Sequence, residues 1–277
     1  MLKTRVLAII QILAVALLHM LLQLALALSL RRWFDAESLL WTQSISFAAV
    51  VGVQWIVVRG VCRTPFSAIG IRPARGWARH WLMGAACGAA LVVTIWGVIW
   101  LMGGYRLGRQ ATSAALWQSL GVSALMMTMV GYSEEALCRG VMAFVARRAG
   151  QGFVAIAVGV VFSLMHLFNP NYSPLAMLNT LLAAVVFSQM TWITDDLWMA
   201  IGCHSAWNFC MSLLGVHVSG LSIPGFLYSQ YTTAGLLTGG EYGLEASVPC
   251  TVGFALVIAA LAGSSFKRSR GLRQPAK

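Results

Sequence analysis

Eight long apolar runs, separated by short polar segments, constrain this chain more than any other feature of its sequence. The runs cover approximately residues 6–30, 38–58, 81–102, 113–146, 151–168, 175–194, 197–217 and 247–266. A helix needs about 20 mostly apolar residues to cross a bilayer. Because 59% of the residues are hydrophobic and only 10% are charged, a soluble fold could not bury this much apolar surface. The sequence therefore predicts an all-α polytopic membrane helix bundle of about eight transmembrane helices, with residues 1–277 forming a single domain.

The positive charges predict how the bundle is oriented. Most of the 19 lysines and arginines lie at the N-terminus, in the second and fourth loops and in the C-terminal tail. Loops rich in lysine and arginine stay on the cytoplasmic side, so both termini are predicted to be cytoplasmic. The basic residues form no stripe with interleaved aromatic residues, and nucleic acid is therefore not an expected partner. The first run is longer than the apolar part of a signal peptide and is followed by Arg31 and Arg32, which favours a retained span.

Two adjacent carboxylates lie where charge is costly. Of the eight acidic residues, only Glu134 and Glu135 fall deep inside an apolar run. The others lie in loops or at the edges of runs: Asp35, Glu37, Asp195, Asp196, Glu241 and Glu245. An ionisable side chain at membrane depth costs at least about 2.5 kcal/mol, so it faces the interior of the bundle and commonly marks a functional site.

The spacing of these acids separates their predicted roles. Glu135 and Arg139 are four residues apart, with the acid first, which favours an ion pair on one helix face. Glu134 is rotated about 100° from Glu135 on a helix and has no cation of its own helix beside it. The simpler interpretation is that both acids and Arg139 only hold two helices together. The functional interpretation requires polar partners at the same depth on other helices.

Three polar residues on other runs meet this requirement. His166 ends the fifth run, and His204 and Asn208 share one face of the seventh. At about 1.5 Å of rise per residue, all three can lie at the depth of Glu134. A carboxylate and an imidazole can deprotonate a water molecule, and imidazole and amide N–H groups can stabilise an oxyanion. We therefore predict that Glu134 and His166 activate water and that His204 and Asn208 hold the oxyanion. The remaining histidines are predicted to be structural or interfacial: His19, His80 and His217.

Three motifs now stand in order on separate runs: Glu-Glu-x-x-x-Arg, Phe-x-x-x-His and His-x-x-x-Asn. They consist of Glu134, Glu135 and Arg139, then Phe162 and His166, then His204 and Asn208. This set resembles the CPBP family of intramembrane proteases, which includes CAAX prenyl proteases and bacterial bacteriocin-processing and self-immunity relatives. The resemblance covers about residues 125–212, and residues 236–245 look like a segment of some bacterial members. It implies an endopeptidase in which Glu134 and His166 activate water while His204 and Asn208 stabilise the transition state.

The resemblance also gives expectations for cofactor, partner and location. A metal-dependent enzyme would bind zinc through Glu134, His166 and His204, with a water molecule at the open position. We favour the metal-free form, which needs no cofactor, because Asn208 suits an oxyanion site better than a zinc site. The short chain resembles bacterial members, so we expect a membrane-associated peptide or protein as substrate in the lipid bilayer of a bacterial cytoplasmic membrane.

Two other classes of protein fit parts of the pattern. A proton-coupled transporter could use Glu134 and the histidines as a proton relay, although the two halves show no matching pair of broken helices. A non-enzymatic membrane scaffold or bacteriocin-immunity protein could keep the fold and bind a partner. The sequence assigns no role to the loop at 218–246 and names neither the substrate nor the cleavage site.

Overall fold

Eight helical runs follow one another along the chain. The computed structural model describes residues 1–33, 38–72, 76–233 and 235–271, with the backbone alone for 264–271. The described helices are α1 (Leu2–Leu30), α2 (Leu39–Val61), α3 (Trp77–Leu101), α4 (Ala114–Ala149), α5 (Gln151–Met165), α6 (Pro174–Thr194), α7 (Trp198–Leu213) and α8 (Val248–Gly271). They coincide with the predicted apolar runs, and the all-α membrane bundle is confirmed. Asp35, Glu37 and the last six residues of the basic tail lie outside the described residues.

The length and surface of the helices fit a bilayer. Five of them are long and apolar enough to cross a membrane: α1, α2, α3, α4 and α6. Helix α5 and residues Val248–Gly263 of α8 are apolar but shorter. Helix α1 leaves large side chains such as Leu13, Leu17 and Leu24 more than half exposed, as expected for a helix that faces lipid. The protein is therefore an integral membrane protein, built as a helical bundle.

Small residues bring α3 and α7 into close contact. A Cβ atom added at Gly84 would overlap the carbonyl oxygen of Met199, and one added at Gly88 would overlap that of Cys203. From the other side, a Cβ at Gly202 would overlap the carbonyl oxygen of Trp81. In a membrane, where no hydrophobic effect drives helices together, such close backbone contact is a main source of helix association. Helix α7, which carries two predicted site residues, is thus fixed against α3.

A second close contact joins α7 to α4. A Cβ atom at Gly131 would overlap the hydroxyl oxygen of Ser205, so only glycine lets these two helices come this near. Glu135 lies one turn after Gly131 on α4, and His204 directly precedes Ser205 on α7. The contact between α4 and α7 therefore places Glu135 and His204 side by side.

A two-stranded sheet lies at one end of the bundle and was not predicted. Strand β1 (Tyr105–Arg109) pairs antiparallel with β2 (Leu227–Tyr231), with Leu107 opposite Ser229. The second strand lies within the loop at 218–246. Helix α7 ends at Leu213, earlier than the predicted run, and His217 therefore lies in the following loop, where its Nδ1 is 2.7 Å from the hydroxyl oxygen of Tyr231.

Candidate active site

The two glutamates lie at a change of helix type within α4. The regular α-helix ends at Glu135, and residues Ala136–Met142 form a π-helical segment. Such segments are rare and are found frequently at functional sites. All seven residues of the segment are buried, and Arg139 is among them. The wider turn thus occurs where the helix carries its charged side chains through the centre of the bundle.

Glu135 joins Arg139 to His204. Its Oε1 atom lies 3.2 Å from Nη1 of Arg139 and 2.9 Å from Nδ1 of His204. A carboxylate can only accept hydrogen bonds, so the Nδ1–H of His204 donates and its Nε2 faces elsewhere. The Glu135 side chain is fully buried, and the Arg139 side chain is 3% exposed. Glu135 therefore both neutralises the arginine and fixes the orientation of the imidazole.

Aromatic rings hold this charged group on its other faces. The ring of Phe187 stacks on the imidazole of His204 at 5.0 Å between centroids. The guanidinium of Arg139 lies 4.8 Å from the ring centre of Phe162 and 5.3 Å from that of Phe187. Cation–π contacts of this kind stabilise a buried cation more strongly than exposed ones. The rings of Phe162 and Phe187 thus keep Arg139 and His204 in place and shield them from lipid.

Glu134 faces a cavity of about 260 Å³. Its side chain is 28% exposed, and its Oε2 atom lies 3.6 Å from Nε2 of His204. The same cavity is lined by His166 and Asn208. All four residues predicted as catalytic thus face one space inside the bundle. Within the described chain Asn208 makes no side-chain hydrogen bond, so its amide is available to a ligand.

His166 is the C-terminal cap of α5. Its Nδ1 lies 2.8 Å from the carbonyl oxygen of Phe162, so Nδ1–H donates and Nε2 carries the lone pair in the neutral ring. The imidazole meets the ring of Phe162 edge-on at 4.8 Å. Among the described contacts, no hydrogen bond joins His166 directly to Glu134, and the imidazole nearest to Glu134 is that of His204. A water molecule shared by Glu134 and His166 would have to lie in the cavity between them.

The cavity wall includes His19, which the sequence predicted to be structural. His19 of α1 is 4% exposed, and its Nε2 is 3.5 Å from the hydroxyl oxygen of Ser46 on α2. Together with Gln23 and Gln43, these residues form a polar wall of the same cavity that holds Glu134. No motif marked them, because a single polar residue per helix turn leaves the apolar pattern of α1 and α2 intact.

Glu245 is a third carboxylate near the site. The sequence places it at the edge of a run, but its oxygens accept hydrogen bonds from the indole N–H of Trp207 at 3.0 Å and from the N–H and hydroxyl of Ser219 at 2.8 Å. Burial first, and then the charge of Glu245, raise the pKa of the nearby Tyr242. The resemblance of residues 236–245 to a segment of bacterial members is the signal that could have identified Glu245. The loop it anchors closes the cavity with Val218, Ser219, Leu221 and Ile223.

The residues expected to bind zinc in a metal-dependent enzyme are Glu134, His166 and His204. In the described part of the chain, no three histidine, cysteine, aspartate or glutamate side chains are arranged to hold a metal ion. The Nδ1 of His204 is already engaged by Glu135, and the Nδ1 of His166 by a backbone carbonyl. Metal-bound histidines commonly donate their other ring N–H in this way, so Nε2 of both rings stays open to a ligand, and the choice between the metal-free and the zinc-dependent form stays a prediction.

The fold and the site together define a polytopic integral membrane protein with a cavity between its helices that is lined by polar side chains. Residues 115–210 match the family model of the Rce1-like proteins, described as type II CAAX prenyl endopeptidases. The matched segment contains all three motifs, and the match agrees with the resemblance that they carry. The family is one of peptidases, which supports an intramembrane protease role for this protein. No curated protein matches the chain.

Proposed function

We propose that this protein is a metal-free intramembrane endopeptidase that cleaves a membrane-associated peptide or protein. Glu134 is the general base, and it takes a proton from a water molecule held between itself and Nε2 of His166 while the oxygen attacks the substrate carbonyl. The observation that carries the proposal is the position of the Glu134 carboxylate in the cavity beside Nε2 of His204. The opposite ring nitrogen of His204, Nδ1, is held by a hydrogen bond to Glu135.

The proposed oxyanion site consists of His204 and Asn208. With both ring nitrogens protonated, His204 donates from Nδ1 to Glu135 and from Nε2 towards the cavity. The amide of Asn208 lies one turn further along α7 and adds a second donor. Fixed N–H donors in an enclosed site stabilise a developing oxyanion more strongly than water does, because they need no reorganisation during the reaction. Collapse of the tetrahedral intermediate returns the proton from Glu134 to the leaving amine.

The polar wall of α1 and α2 supports a peptide substrate rather than a proton alone. A chain of protonatable groups would suffice for a relay, whereas amides such as Gln23 and Gln43 and hydroxyls such as Ser46 match the N–H and C=O groups of an extended peptide. We further propose that the protein lies in a bacterial cytoplasmic membrane with both termini in the cytoplasm, as its basic loops indicate.

Labelling of new peptide N-termini in membranes tests the proposed activity. Cells producing the wild-type protein should accumulate cleavage products that are absent with Glu134→Gln. Glu241→Gln provides the matched control, because Glu241 is exposed and lies outside the cavity. Products that persist at wild-type levels in Glu134→Gln would refute the proposed base. Proton flux into proteoliposomes that depends on Glu134, without any peptide cleavage, would favour a transporter instead.

A further inference from the structure

A second cavity of about 300 Å³ enters the bundle from the end opposite to the candidate active site. Its wall combines the loop before α3, the end of α4, the beginning of α5 and the end of α6. Arg139 lines this second cavity, whereas Glu134 and His204 line the first. The fully buried Glu135 lies between them. The Glu135–Arg139 pair thus separates two cavities, and only one of them has a role in the proposed reaction.

Arg139 has hydrogen-bonding capacity that its known partner does not use. Its Nη1 donates to Glu135, but Nε and Nη2 are buried and make no hydrogen bond within the described residues. A guanidinium has five N–H donors in a planar fork and cannot lose its proton in a protein. Leaving such donors unpaired in the interior is costly. The free edge of the fork has the geometry that binds a phosphate or carboxylate through two parallel hydrogen bonds.

The mouth of the second cavity is also positively charged. Arg147 lines it and is held by its own helix end, with Nη1 donating to the carbonyl oxygen of Phe144 at 2.6 Å and the guanidinium lying over the Phe144 ring. Arg72 lines the mouth as well, paired with Asp195 at 3.0 Å. The lining of the second cavity therefore contains three arginines and one aspartate. Because the first turn of α5 forms part of the wall, its helix dipole also favours an anion there.

We propose that the second cavity binds the phosphate group of an acidic phospholipid, with the free edge of Arg139 as the innermost ligand and Arg147 at the mouth. The position of the cavity favours a lipid over a soluble anion, because it lies between transmembrane helices at the end that carries the basic loops. Basic pockets in this position are suited to lipid headgroups. Apolar residues of the same wall, including Val154, Val158 and Trp192, provide a surface for acyl chains.

Lipid titration of the purified protein in uncharged detergent tests the proposal. Phosphatidylglycerol should bind with one copy per protein, and phosphatidylcholine with the same acyl chains should bind much more weakly. Arg147→Gln should raise the Kd for phosphatidylglycerol about fivefold, since one basic residue near the phosphate is removed. Asp195→Asn should lower it by a similar factor, and asparagine is well tolerated at the left-handed backbone position that Asp195 occupies (φ 58°).

Arg148→Gln is the matched control, because Arg148 adjoins Arg147 but does not line the cavity, and its Kd should equal that of the wild type. Opposite shifts in the two cavity variants are not expected from a general loss of folding. Equal Kd values for the two lipids, or equal effects of Arg147→Gln and Arg148→Gln, would overturn the proposal. Inorganic phosphate that binds in the absence of lipid and blocks phosphatidylglycerol at lower concentration than the lipid itself would overturn the assignment to a headgroup.

Discussion

Replacing Glu135 by glutamine isolates the effect of its charge. Glutamine has the same shape, and its carbonyl oxygen can keep both contacts of Oε1, with Arg139 and with His204. The amide nitrogen can take the place of Oε2, which has no hydrogen-bond partner among the described residues. The substitution therefore preserves volume and hydrogen bonds and removes only the negative charge beside a buried arginine.

The expected cost follows from burial. Removing one member of a buried ion pair destabilises a protein by about 3–5 kcal/mol, since it leaves the other charge uncompensated. The Glu135 and Arg139 side chains are 0% and 3% exposed, so we expect Glu135→Gln to lower the free energy of unfolding by about 3 kcal/mol. Glu134 is 28% exposed, and its Oε2 lies 3.6 Å from Nε2 of His204, which is longer than a hydrogen bond. Glu134→Gln should therefore lower the free energy of unfolding by less than about 1 kcal/mol.

Unfolding in mixed micelles with increasing denaturing detergent, followed by tryptophan fluorescence, measures both losses. The double variant Glu135→Gln with Arg139→Met removes the uncompensated charge and places a thioether against the rings of Phe162 and Phe187, so it should recover more than half of the lost stability. Equal losses for the two glutamate variants, or a double variant less stable than Glu135→Gln, would refute the reasoning.

Three further predictions concern helix contact, the loop and the metal. Gly131→Val should lower the cleavage rate about a hundredfold, because the added side chain moves Ser205 and α7 away from α4. Gly121 lies on the same helix with open space around it, so the control variant Gly121→Val should cleave at the wild-type rate in the same assay. Glu245→Gln should lower the unfolding free energy by about 1–2 kcal/mol, because its charge strengthens the hydrogen bond from Trp207, and unchanged stability would contradict the anchoring role. Cleavage should survive exhaustive dialysis against a chelator, and a loss that zinc restores would contradict the metal-free mechanism.

The sequence predicted the helices well because their signal is local. Apolar runs of sufficient length identify the helices without knowledge of their neighbours. The ends were less accurate, since α5 stops at Met165 and α7 at Leu213, before the apolar pattern does. The pairing of Tyr105–Arg109 with Leu227–Tyr231 joins segments far apart in the chain, and no local pattern could show it.

The contacts of the site depend on how one helix is turned against another. Spacing along α4 predicted that Glu135 could meet Arg139, but it could not show that the same oxygen also accepts from His204. That contact results from the close approach of α4 and α7 at Gly131. The predicted roles of Glu134, His166, His204 and Asn208 stay predictions, and Glu134→Gln tests the first of them.

The separation of the two cavities by Glu135 and Arg139 also bears on how easily protons could leak across the membrane. A protease that admits water deep into a bilayer from both ends risks a proton leak, because only the layer between the two wet spaces insulates one side from the other. In this protein that layer contains a buried ion pair packed among aromatic rings. We expect this packed layer to limit proton leakage as well as to support the imidazole, and small side chains at both positions to raise the proton permeability of proteoliposomes.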